Sequence, residues 1–542
     1  MTMTIATPAA ANDPAAQIAA VPANDNFGNA KLISSLPFTR TGISTTGATV
    51  QGGEPGGGCG PFDHTVWYKF QPSQKMKVGV DTSGSDHGTV IDVFSGTTMA
   101  SLSYVMCDQY GRYPNSDVTW TAQTGTTYYI RVSGTENTGG ILDVHAVRVR
   151  KPANDTAPSA TTISSLPFTQ TLDVRGAGSA GDTVSCSMPA HSVWYRFTPS
   201  SAMTLKADVS KSDIYEPAIA VFQGGGLTPL TCSYYGRIAF NAKAGVTYYF
   251  RAGGIGILTF KLSRVTPPAN DAFAGATTIP TALAFHATGS TGNATVQSAE
   301  AATACGVTST ATLWYRYVAP ATDRLVSIDT TAGFYITAYG GGPSLATLDE
   351  LACSARGHLV FRAEANQTYW IRLASVFGSF GAFALDATNH TADAVSNDDF
   401  SAATLIATVP FSGAVVDTSY ATMQPDEPQP DCSYRPTGAS VWYRYTTPPS
   451  PTTNFLQVET IDSDFDTVIG VYTGTTLSGL VQVACNDETT DYGLDNQSSI
   501  SFEIQPSTTY RIQVSGYVGG VGDVQLDVLS VTAPANDDFA DA

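Results

Sequence analysis

The chain has 542 residues, a length that suits three to five domains, and 42% of them are hydrophobic while only 13% are charged. A net charge of -19 excludes the basic footprint that nucleic acid or an anionic membrane surface requires, and no apolar run approaches the ~18 residues of a membrane-spanning helix. Gly 50, Pro 30, Tyr 25 and Phe 24, with abundant Thr and Ser, favour short strands and tight turns over helices.

Residues 1–21 are an Ala/Pro-rich arm with no basic n-region and no apolar core, so they do not read as a signal peptide. Export by another route, or a chain that is part of a longer protein, are the two readings that follow. Asn24-Asp25-x-Phe27 then opens a pattern that returns at Asn154-Asp155, Asn270-Asp271-x-Phe273, Asn397-Asp398-x-Phe400 and Asn536-Asp537-x-Phe539, at spacings of 130, 116, 127 and 139 residues. This divides the chain into repeats at 22–150, 151–266, 267–394 and 395–532, with 533–542 as the start of a fifth.

Each repeat runs through the same landmarks. A short Ala/Thr segment, with the Asn or Asp as its expected N-cap, leads to a Phe (Phe38, Phe168, Phe285, Phe411). The strand Val66-Trp67-Tyr68-Lys69-Phe70 follows, with copies at Val193 to Phe197, Leu313 to Tyr317 and Val441 to Tyr445. Its period of two puts Val, Tyr and Phe on a core face and Trp with Lys or Arg on the other, where an i, i+2 cation–π stack is expected. Next come Ile91-x-Val93-Phe94 and Thr127-Tyr128-x-Ile130-Arg131, each with three further copies. Closely spaced strands and Gly-rich turns predict tandem antiparallel β-sandwich domains. At roughly 125 residues each, these are expected to be jelly-roll-like, with about eight strands. Short Pro-bearing joints predict an elongated rod of such domains, with the Asn-Asp-x-Phe phenylalanine at the seam with the preceding domain.

The eight cysteines obey the repeat. Cys59, Cys186, Cys305 and Cys432 stand 8–10 residues before the strand Trp, and Cys107, Cys232, Cys353 and Cys485 follow 46 to 53 residues later. Two per repeat, with no C-x-x-C, predicts one intradomain disulfide each: Cys59–Cys107, Cys186–Cys232, Cys305–Cys353 and Cys432–Cys485. Persistent disulfides place the protein in an oxidising, extracellular or cell-surface compartment.

No H-E-x-x-H, G-x-S-x-G, Walker loop or dinucleotide fingerprint is present, and His64 and His191 give way to Ala311 and Ala439 in the other repeats. The chain therefore reads as a non-enzyme. One polar cluster stands out, in repeat four: Asp462, Asp464 and Asp466 alternate, with Asn486, Asp487, Asp491 and Asp495 beyond the cysteine. Converging carboxylates from two loops suit Ca²⁺, which takes six to eight oxygens, whereas a solvated acidic loop is the plainer reading and the preferred one. Gly88 and Gly333 interrupt the pattern in repeats one and three, so Ca²⁺ is an option for repeat four alone, and no other cofactor is expected.

Taken together, Asn-Asp-x-Phe, Val-Trp-Tyr, Asp462-Ser463-Asp464-Phe465-Asp466-Thr467-Val468, Val483-Ala484-Cys485-Asn486-Asp487 and Thr509-Tyr510 resemble the bacterial pre-peptidase C-terminal domain family. The resemblance implies a secreted or cell-surface bacterial protein; family members are often appended to peptidases, and some bind collagen or calcium. The leading expectation is a non-catalytic surface spacer, adhesin or filament or matrix component. The alternative is a glycan- or protein-binding accessory region of a larger secreted peptidase or hydrolase. Expected partners are an extracellular glycan or protein, or another copy joined head to tail, with no nucleic acid and no membrane insertion.

Overall fold

In a computed structural model, described for residues 20–109, 115–135, 138–178, 191–300, 303–305, 307–376, 380–451, 453–488 and 496–532, the chain is all-β. The fifth Asn-Asp-x-Phe copy and nearly all of the N-terminal arm lie outside the described residues. Repeat one comprises β1 (Lys31–Ile33), β2 (Phe38–Ser44), β3 (Asp63–Phe70), β4 (Met76–Asp81), β5 (Thr89–Ser95), β6 (Ser103–Asp108), β7 (Asp117–Ala122), β8 (Tyr128–Gly134) and β9 (Ile141–Val149). One sheet runs β2-β9-β4-β7 and the other β3-β8-β5-β6, with β1 added beside β3. This is the strand order of a jelly roll, two Greek keys closed as a double sheet. The departure from the expected eight strands is β1, which pairs parallel to β3.

The alternation of β3 sets the core. Val66, Tyr68 and Phe70 face the opposite sheet and pack with Val78, Val118, Trp120, Ile130 and Val144. Repeats three and four repeat the double sheet, with cores built around Tyr315 and Tyr443 at the place of Tyr68. Each such tyrosine buries a large apolar ring.

The chain forms two compact units, Met1–Ser200 with Ala207–Gly236 and Gly245–Ser263, and Ser201–Lys206 with Arg237–Ala244 and Arg264–Ala542. Within the first, repeat two differs from repeat one in a single long strand, Tyr248–Val265. Its first half pairs with Ser192–Phe197, as β8 does with β3, and its second half pairs with Phe168–Asp173, as β9 does with β2. The loop between β8 and β9 is missing here, which contributes to the short 116-residue spacing. Gly254 and Gly256, at φ +156° and +125°, carry the chain from one sheet to the other, at positions where their Cβ atoms would meet Tyr215 O and Asp213 O.

Candidate functional site

The opposite face of the Val-Trp-Tyr strand is where an exposed site would lie, and the structure covers it. Trp67, Trp194, Trp314 and Trp442 are each 0–1% exposed. The cover is the Asn-Asp-x-Phe segment. Asn24 accepts the Trp67 N–H on its backbone carbonyl at 2.8 Å and donates its side-chain Nδ2 to the Trp67 carbonyl at 3.0 Å. Asn154, Asn270 and Asn397 hold Trp194, Trp314 and Trp442 in the same two-sided way. The aspartate fastens the following loop: Asp25 accepts Thr49 N–H and Oγ, Asp271 does so with Thr295, and Asp398 with Thr422. The phenylalanine then lies on the indole, Phe27 at 5.3 Å from Trp67, Phe273 at 5.2 Å from Trp314 and Phe400 at 5.2 Å from Trp442.

Three expectations are corrected here. The Asn-Asp pair does not cap the short 3-10 turn that follows, which makes no side-chain cap bond in Phe27–Asn29 or Phe400–Ala402. Asn and Asp side chains compete for backbone groups, and the unpaired strand backbone at Trp is the stronger claim. The phenylalanine packs on the tryptophan of its own repeat, and in repeat four it is the neighbouring Asp398 and Asp399 that meet the preceding repeat, through Arg362. The cation over the indole also differs: it is Arg131, from β8, at 5.8 Å from the Trp67 ring, and Arg372 at 5.9 Å from Trp314, in place of the same-strand Lys69 or Arg316.

Beneath the tryptophan sits a buried carboxylate that sequence reading missed. Glu54 Oε1 accepts from Gln51 N–H, Thr65 Oγ and Trp67 Nε1; Glu300 does so from Gln297, Thr312 and Trp314. Glu427 accepts from Gln424, Ser440 and Trp442. The signal was a Gln-x-x-Glu spacing in three repeats: Gln51/Glu54, Gln297/Glu300 and Gln424/Glu427. In repeat one the counter-charge is Arg131, fully buried, at 3.4 Å from Glu54 and 2.8 Å from Asp92. In repeat three burial pushes Glu300 up while Arg372 pulls it back. Repeat four has Gln513 at this place, and Glu427 is answered only by neutral donors, so burial pushes its carboxyl up to about 7.

The candidate calcium ligands are distributed as follows. Asp462 is exposed. Asp464 Oδ1 accepts Asp523 N–H at 2.8 Å, the same brace that Asp86 makes with Ile141 N–H in repeat one. Asn486 Oδ1 accepts the N–H groups of Glu488 and Ser499. Asp466 carries the electrostatic strain: burial lifts it to about 6, Arg356 at 3.2 Å lowers it, and Glu488 and Asp487 raise it. Asp487 and Glu488 thus act on Asp466 through their charge, and the cation paired with Asp466 is Arg356. Asp491 and Asp495 lie outside the described residues. Among the described residues no group of three or more His, Cys, Asp or Glu is arranged to hold a metal ion.

Three disulfides are formed: Cys59–Cys107, Cys305–Cys353 and Cys432–Cys485, with Cα–Cα distances of 5.8, 5.5 and 5.9 Å. Each ties the loop before the Trp strand to the edge strand of the same sheet, β6 in repeat one. Cys232 is also disulfide-bonded, while Cys186 lies outside the described residues. In the second unit a cleft of about 1230 Å³ opens where repeats three and four meet. Tyr369 and Trp370 form part of its wall, with Glu364, Asp426 and the Arg362–Asp399 pair at 3.4 Å. No single repeat contains it, so no motif could have announced it.

No family model and no curated protein matches the chain. Among solved structures it aligns with an uncharacterized protein from Burkholderia cenocepacia, at 7% identity over 42% of this chain and 78% of that one, with a TM-score of 0.16. It also aligns with tripeptidyl peptidase 2, at 9% identity over 87% of this chain and 32% of that one, with a TM-score of 0.12. Scores this low carry no argument about fold or function.

Proposed function

We propose that this chain is a non-catalytic extracellular repeat protein of the pre-peptidase C-terminal type, a surface spacer, adhesin or matrix component. The supporting observation is the fate of its reactive-looking side chains. Tryptophan, arginine and glutamate, which would build a glycan platform or an acid–base pair, are buried under the Asn-Asp-x-Phe strap in repeat after repeat. The three disulfides are compatible with an oxidising compartment. No helix among the described residues is long and apolar enough to cross a membrane. Repetition without a shared open site suits a protein whose product is reach and attachment.

The test is a panel of extracellular glycans and matrix proteins, alongside peptidase and glycosidase substrates, presented to the full chain. Attachment without turnover supports the proposal; turnover that a variant in any one repeat abolishes overturns it. The accessory-module reading is favoured by one observation, the cleft between repeats three and four. If a glycan or protein binds and Glu364→Lys with Asp426→Lys weakens it at least tenfold, that reading takes precedence.

A further inference from the structure

Both units join their repeats at the same strand ends, but with different chemistry. In repeat one, Asp81 at the end of β4 stands opposite Asp117 at the start of β7. Arg175 of repeat two enters between them, Nη1 at 3.1 Å from Asp81 and 3.3 Å from Asp117, and Nη2 at 2.9 Å from its own Asp173. The equivalent cross-strand pair in repeat three is Asp329 and His358. The residue of repeat four at the place of Arg175 is Ser419. Each follows a residue whose N–H bonds the returning strand region, Val174 to Gly256 O and Thr418 to Gly522 O. The cation has therefore moved from the incoming repeat to the preceding one.

His358 is held at both ring nitrogens. Nδ1 lies 2.6 Å from Asp329 Oδ1 and Nε2 lies 2.7 Å from the Ser419 carbonyl. A carboxylate and a carbonyl both accept, so both ring nitrogens must donate, and only imidazolium carries two N–H groups. We propose that the joint between repeats three and four is a proton-operated latch, closed by imidazolium His358 and loosened when that residue loses a proton, whereas Arg175 closes the joint between repeats one and two at every physiological pH.

The groups facing the latch are few. Asp329 and, across the next strand, Asp386 come from repeat three; Asp386 is engaged by His286 at 2.7 Å. His390, paired with Asp393, stacks on Tyr420 at 4.1 Å, and Tyr420 lies 6.4 Å from the His358 ring. Asp417 comes from repeat four. Burial disfavours the charged ring, yet the bonds to Asp329 and Ser419 and the charges of Asp329 and Asp417 outweigh it, so the His358 value is raised. Burial likewise raises Asp329, and the His358 bond and charge more than reverse that, so its value is lowered. A raised histidine contributes stability that is complete below its unfolded value of about 6.5 and is lost as pH climbs through the folded value. A lowered aspartate contributes stability that is complete above about 3.9 and is lost as pH falls through its folded value. The latch is shut between those limits and opens on the alkaline side.

Hydrogen exchange on the full chain at pH 5.5 and 8.5, corrected for intrinsic rates, tests this. Peptides carrying Thr418 and Ala421 are expected to lose protection by about tenfold at the higher pH, the scale of one charge-assisted hydrogen bond. Peptides around Arg175 are expected to keep theirs. His358→Gln should abolish the pH step, and Asp329→Asn should move its midpoint to lower pH. A flat profile in the parent chain, the same step in both joints, survival of the step in His358→Gln, or an unmoved midpoint in Asp329→Asn would each overturn the latch.

Discussion

Gln513 donates to Glu427 at 3.0 Å in repeat four, at the place where Arg131 faces Glu54 at 3.4 Å in repeat one. Exchanging a guanidinium for an amide there changes the charge under the tryptophan, and the rest of the repeat follows. Two of the arginine-bearing sites have a second acid close by, Asp92 in repeat one and Glu350 in repeat three. Repeat four has Gly470 and Gln482 at those two places, so it lacks both the cation and the extra acid of repeats one and three.

Glu427→Gln should therefore stabilise repeat four at high pH. A carboxyl raised from 4.5 to about 7 contributes stability that is complete below its unfolded value and is lost as pH rises through the folded one. The limit of the effect is about 3 kcal/mol, by linkage. Gln513 can turn its amide to suit the new partner. Thermal unfolding at pH 5 and pH 8 checks it: the repeat-four transition should fall with pH in the parent chain and fall by clearly less in the variant.

In repeat one the opposite exchange should be costly. Arg131→Gln leaves Asp92 buried without its cation, and loss of one partner of a buried pair costs about 3–5 kcal/mol. Adding Asp92→Gly, which reproduces the arrangement of repeat four, should recover a large part of that. Local exchange protection in β5 and β8, compared among the single and double variants, measures the coupling.

The strap gives a third expectation. Asn270→Ala removes the Nδ2 bond to the Trp314 carbonyl and should cost repeat three about 1–2 kcal/mol. Asn270→Asp should be no better, because a carboxylate cannot donate to a carbonyl. Protection of the Trp314 amide is the readout.

Non-reducing peptide mapping should recover Cys59–Cys107, Cys305–Cys353 and Cys432–Cys485 as linked pairs, and it decides Cys186–Cys232. A cross-repeat link or free thiols would break the equivalence of the repeats.

Much of this architecture was legible in the sequence because it rests on local periodicity. Val66-Trp67-Tyr68 alternates, so its core face could be assigned without a partner strand, and the cysteine pairs followed from their repeat positions. The duty of Asn24 was not legible, since it depends on which distant strand leaves its backbone open. Nor was the cation over Trp67, which arrives from β8 across the sheet. The joints were hidden for the same reason: Arg175 means nothing until Asp81 and Asp117 are brought opposite each other, 94 and 58 residues away.

The disulfides also set how far the molecule can be stretched. Cys59–Cys107 and Cys305–Cys353 each span 48 residues of chain, and Cys432–Cys485 spans 53. Forty-eight residues extended would add roughly 160 Å to a pulled chain, and the covalent bridge withholds nearly all of that length. Under load, an oxidised repeat that gives way would yield only the segments outside its bridge, beginning with the hydrogen-bonded strap at its N-terminal end. A chain bridged this way lengthens in bounded increments and cannot run out to its full contour until a reductant reaches it.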